Sequence, residues 1–83
     1  GEHNFKIADP AKAISAVVDA YKEDALIEDR SDGVSLEFND WRFNLRSSNT
    51  EPVVRLNIES RNDTHLVNEK FKEISTILDQ FAR

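Results

Sequence analysis

Eighty-three residues with 39% hydrophobic and 33% charged content make one small globular domain with a single modest core, since a chain this short buries only about 60–65% of its unfolded surface. The absence of cysteine excludes disulfides, zinc fingers and thiol catalysis, and no apolar run approaches the ~18–20 residues that a membrane span needs. Sixteen acids against eleven bases leave a net charge of −5, a poor balance for nucleic acid, which rewards basic surfaces.

In chain order, His3 to Ile7 is a short apolar-containing run that reads as a strand. Asp9-Pro10 is a helix start, with Asp as N-cap and Pro at the first helical position. Ile14, Val17, Val18 and Tyr21 then fall on one helical face, so a helix is predicted from about Pro10 to Lys22 or Glu23. Leu26 and Ile27 open a second strand. Asp32-Gly33 signals a two-residue hairpin, because Gly accepts the positive φ of such a turn. Val34, Leu36 and Phe38 alternate with Ser35 and Glu37, a half-buried strand. Asn39-Asp40 is a tight turn. Trp41, Phe43 and Leu45 alternate with Arg42, Asn44 and Arg46 in the next strand, and the three apolar residues are expected in the core. Residues 47–52 form a polar loop. Val54, Leu56 and Ile58 alternate with Arg55, Asn57 and Glu59 in the last strand. Asp63 or Thr64 caps a final helix, whose Val67, Phe71, Ile74, Leu78 and Phe81 make a core-facing stripe widened by Leu66 and Ile77.

The predicted order is β-α-β-β-β-β-α, an α+β fold. Four strands form an antiparallel meander after the first helix, and two amphipathic helices cover one sheet face. The other face shows Arg42, Asn44, Arg46, Arg55, Asn57 and Glu59. No linker, repeat or low-complexity stretch interrupts the plan, and no leader is visible. The chain begins at Gly1 instead of Met, so a piece of a longer protein is expected.

The charge is uneven. All five lysines lie outside residues 30–61, and five of the six arginines lie within it. Residues 41–61 carry four Arg against Glu51 and Glu59, an Arg-rich patch in an acidic body. Guanidinium suits bidentate anion recognition. The other reading is sheet-face arginines paired with nearby acids.

Few residues suggest chemistry. His3 and His65 are isolated, with no carboxylate or second His expected at ligand spacing on the same element, so no metal site is expected. Glu23-Asp24 and Glu28-Asp29 sit at element ends, where solvated charge is the ordinary state; a catalytic pair needs burial that separates the two pKa values. Ser47 and Ser48 lack a nearby His, which makes a hydrolase a distant reading.

The segment Arg46-Ser47-Ser48-Asn49-Thr50-Glu51-Pro52-Val53-Val54-Arg55 differs. A tight interstrand loop has backbone N–H groups that the sheet does not use. Ser48 and Thr50 add hydroxyls and Asn49 an amide. Arg46 enters the loop and Arg55 leaves it. Such donors suit a phosphate. Pro52 stiffens the exit. Glu51 repels a phosphate and is assigned a supporting part, accepting bonds from the loop or a sugar hydroxyl, or orienting an arginine. The same residues also make an ordinary hairpin loop.

From Asp40 to Arg55 the sequence resembles the phosphate-binding signature of the α-D-phosphohexomutases. Arg46-Ser47-Ser48-Asn49-Thr50-Glu51-Pro52 is similar to the family pattern Arg-x-Ser-(Asn/Gly)-Thr-Glu-Pro at every position. The Asp32-Gly33 turn, the strand running to Arg61 and the element order also fit, so the resemblance covers the whole chain. Asn49 is more similar to the phosphomannomutase/phosphoglucomutase branch than to the phosphoglucosamine branch.

The resemblance implies a TATA-binding-protein-like fold. It implies that residues 1–83 are the C-terminal, fourth domain of a cytoplasmic enzyme that moves phosphate between C1 and C6 of a hexose through an active-site phosphoserine, with Mg²⁺ assisting. The phosphoserine, the metal ligands and the main sugar-selecting loop belong to the three other domains. No catalytic residue, metal ligand or cofactor is therefore expected here, and the isolated chain is expected to be inactive. Arg46, Ser48, Asn49 and Thr50 are implied as contacts to the phosphate of mannose or glucose 1-phosphate, 6-phosphate or 1,6-bisphosphate, with Glu51 and Arg55 supporting. The expected partners are the phosphosugar and the other three domains, not nucleic acid or a membrane. The alternatives are a stand-alone anion-binding module and the same domain of a phosphoglucosamine mutase.

Overall fold

A computed structural model describes residues 2–48 and 50–82. The elements are β1 (Glu2–Lys6), α1 (Pro10–Tyr21) with a 3-10 turn over Lys22–Asp24, β2 (Ile27–Asp29), β3 (Val34–Glu37), β4 (Trp41–Ser47), β5 (Val53–Ser60) and α2 (Thr64–Asp79). All strand pairs are antiparallel, in the order β1-β5-β4-β3-β2. The meander β2-β3-β4-β5 is the predicted one, and β1 returns to close the sheet on the far side of β5. Both helices lie on one face. This is the α+β, TATA-binding-protein-like arrangement.

Caps explain where the helices begin. The Asp9 carboxylate accepts from the Lys12 N–H at 3.2 Å ahead of Pro10. Asp63, not Thr64, caps α2, accepting from the Leu66 N–H at 3.0 Å. Each cap satisfies a donor that the first helical turn leaves unpaired. Asn62 turns the chain into that cap with φ at 54°, a left-handed conformation that Asn tolerates better than most residues.

The core lies between the helices and one sheet face. Phe43, Leu45, Leu36, Val54 and Leu56 from the strands meet Val17, Ile74 and Leu78 from the helices, all at most 1% exposed. Ile7 stands just past β1, is fully buried, and bridges to Ala82. Hydrophobic burial is roughly proportional to apolar area removed from water, so these residues dominate the stability.

Two expectations are corrected. The β2–β3 connection is not a two-residue hairpin but the four residues 30–33. The Asp29 carboxylate accepts from the Ser31 N–H at 2.8 Å and the Ser31 hydroxyl at 2.7 Å, which builds a local turn and holds that carboxyl below its usual range. Gly33 supplies the positive φ, at 69°, one step later. Trp41 is not in the interior. It is half-buried at the rim, stacked on Phe38 with ring centroids 4.4 Å apart and edge-on to Tyr21 at 5.6 Å. Lys70 Nζ covers its ring at 5.3 Å. The Tyr21 hydroxyl donates to Glu73 at 2.7 Å, tying α1 to α2. Burial, then the Glu73 carboxylate, pushes this phenol above the ordinary tyrosine range.

Candidate anion cradle at the β4–β5 loop

Alternation puts the odd-numbered β4 residues on the helix side and leaves Arg42, Asn44 and Arg46 on the open face, opposite Glu59, Asn57 and Arg55 of β5. Arg42 belongs to the paired class: its Nε lies 3.6 Å from Glu37. Arg46 and Arg55 are different. They stand directly opposite each other in the β4–β5 register. Like charges so placed destabilise a sheet unless something neutralises them. Arg55 is exposed and has no ion pair among the described residues. Arg46 is 40% exposed and meets Asp32 at 3.3 Å and Glu2 at 3.7 Å.

Beyond this rung lies the loop. The Ser48 N–H donates to the Val53 carbonyl at 3.0 Å, closing the hairpin. The Thr50 N–H donates to the Ser48 hydroxyl at 3.3 Å, and the two hydroxyl oxygens are 3.4 Å apart. The Val53 N–H turns back to the Glu51 carbonyl at 2.8 Å. Ile7 anchors the exit by donating to the Pro52 carbonyl at 2.8 Å. The expectation of loop N–H groups that the sheet does not use is thus corrected for Ser48, whose N–H closes the hairpin, and holds for Thr50, whose N–H turns to the Ser48 hydroxyl. The Ser48 and Thr50 hydroxyls converge, and Glu51 enters through its carbonyl. Asn49 lies outside the described residues.

Together Arg46, Ser48 and Arg55 line one shallow cleft of about 420 Å³. Its other wall was not visible in the sequence: Asp32 and Gly33 of the β2–β3 loop lie across from Ser47 and Ser48. The lining thus brings two arginines and a serine, residue types suited to holding an anion, to one opening beside Asp32.

Elsewhere the chemistry is sparse. His3 lies against Phe71, with ring centroids 4.3 Å apart. His65 is not isolated, since Glu69 follows one helical turn later and approaches to 3.5 Å. Among the described residues no group of three or more His, Cys, Asp or Glu is placed to hold a metal ion. No described helix is long and apolar enough to cross a membrane.

Residues 2–77 match the family described as phosphoglucomutase/phosphomannomutase, C-terminal domain. A phosphomannomutase of Salmonella montevideo is 56% identical over 79 residues, covering 95% of this chain and 17% of that protein. One of Escherichia coli K12 is 51% identical over 80 residues, covering 96% of this chain and 18% of that protein. The chain thus spans less than a fifth of the length of these curated relatives. Over nearly its whole length, from β1 into α2, the chain belongs to the phosphoglucomutase/phosphomannomutase family, as its C-terminal domain.

Proposed function

We infer that this chain is the fourth domain of a cytoplasmic, Mg²⁺-assisted mutase that interconverts hexose 1-phosphate and hexose 6-phosphate. Its part is to hold the phosphate that is not reacting and to help close the cleft over the sugar. The observation that carries this reading is the Arg46–Arg55 rung beside the Ser48 and Thr50 hydroxyls. An unreactive phosphate gripped here positions the rest of the sugar for the other three domains, which carry the reacting groups and the metal. Binding energy from such a remote group is available for orienting the reacting centre. Closure keeps water from the transferring phosphoryl group. Arg46, Ser48, Asn49 and Thr50 contact the phosphate, and Glu51 and Arg55 support them. Mannose and glucose phosphates both suit a site that recognises phosphate in preference to sugar.

Thermal unfolding tests this on the chain itself. A ligand that binds only the folded state raises its stability by mass action. Inorganic phosphate and mannose 1-phosphate are expected to raise the unfolding midpoint with concentration, and mannose is expected to leave it alone. An equal response to mannose, or none to either phosphate, contradicts the reading.

Ser48→Ala in the full-length protein is expected to lower kcat/KM about fivefold, equivalent to about 1 kcal/mol for one neutral donor. Steady-state assay with hexose phosphates measures it. A loss larger than that of Arg46→Ala would reverse the ranking of the two.

A further inference from the structure

Arg46 already has a carboxylate at its tip. Asp32 Oδ2 lies 3.3 Å from Arg46 Nη1, and it reaches there from the β2–β3 loop. The Asp32 backbone is held in two ways. The Asn44 amide donates to the Asp32 carbonyl at 2.9 Å and to the Ser35 hydroxyl at 2.9 Å. Gly33 packs so closely on β4 that an added Cβ would run into the Leu45 carbonyl and the Arg46 Cβ. The loop is thereby pinned at the root of Arg46. The Asp32 side chain itself is 75% exposed. An ion pair in so wet a place contributes little and exchanges readily. The backbone is fixed while the charge contact is weak.

We propose that Asp32 is a displaceable counter-ion of Arg46. It turns the guanidinium into the cleft and opposes its repulsion from Arg55 until phosphate takes its place. This rests on reading the β4–β5 loop as a phosphate cradle. An arriving phosphate has to give up the Arg46–Asp32 pair, and the released carboxylate then repels it. Asp32 is therefore a positioning residue that weakens phosphate binding and speeds release. Its removal tightens binding, whereas removal of a merely structural residue leaves affinity unchanged or lowers it. Glu2, at 3.7 Å on the other guanidinium nitrogen, adds a smaller effect of the same sign.

The test is a titration of the 83-residue chain with inorganic phosphate at low ionic strength, followed by amide NMR. Asp32→Asn keeps the backbone carbonyl that Asn44 grips, and a dispersed spectrum verifies its fold. Its phosphate Kd is expected to fall about two- to fivefold, the size of an exposed ion pair's contribution, and the gain is expected to shrink as salt screens the charges. Asp32→Glu is expected to restore a Kd near that of the parent chain. Phosphate binding that is unchanged or weaker in Asp32→Asn, or equally tight in Asp32→Glu, overturns this inference and leaves the cradle standing. No binding to the parent chain or to either variant overturns the cradle and this inference together.

Discussion

In the full-length protein assayed with hexose phosphates, Arg46→Ala is expected to cut kcat/KM by about 30- to 900-fold, equivalent to about 2–4 kcal/mol. Arg46 is only 40% exposed, and it projects from β4 beside the hairpin-closing Ser48. Its guanidinium is therefore presented by a strand, and it faces Arg55 across one rung. A neutral side chain there removes a charge-assisted, planar grip that water reproduces poorly. Arg46→Lys keeps the charge and loses the fork, so it is expected to recover only part of the activity. Activity of Arg46→Ala within about twofold of the parent, a change below about 0.5 kcal/mol, removes Arg46 from the phosphate site.

Phe43→Ala is expected to destabilise the fold by about 3–5 kcal/mol. Phe43 is 1% exposed and sits in the central strand of the sheet. Its ring lies 5.8 Å from Tyr21, 5.7 Å from Trp41 and 6.2 Å from Phe38, so truncation leaves a cavity that rigid rings cannot refill. Trp41→Ala removes a larger side chain but from the rim, where water already reaches it. Its cost is expected to be smaller, about 2 kcal/mol. Denaturant unfolding of both variants gives the order directly. A Trp41 loss exceeding that of Phe43 contradicts the placement of the core.

Much of this was legible in the sequence, because alternation at period two and helical spacing report directly on which face is buried. That pattern alone assigns Leu36, Phe43, Leu45, Val54, Leu56, Ile74 and Leu78 to the interior, where all seven lie. What escaped it depends on contacts far apart in the chain. The length of the 30–33 loop is set partly by Asn44, which grips the Asp32 carbonyl from 12 residues away. Trp41 shares the parity of Phe43, yet parity does not tell a strand's end from its middle. Its exposure follows from where β4 begins relative to β3 and the helices. The cradle shows the same division. Arg46, Ser48 and Arg55 are neighbours along one hairpin, so that they line one cleft is readable from the sequence, whereas Thr50 meets only the Ser48 hydroxyl and is not among the residues lining that cleft. Asp32 and Glu2 reach Arg46 only through the β3–β4 and β1–β5 registers, which no local pattern specifies.

Phosphate binding by the β4–β5 loop underlies these expectations. Its most direct test is an amide NMR titration of this chain with mannose 1-phosphate, then inorganic phosphate, then mannose, following residues 46–55. Shifts are expected to concentrate in that loop with both phosphates and to be absent with mannose. Loop amides that respond equally to mannose, or stay still while amides elsewhere respond to phosphate, would contradict it.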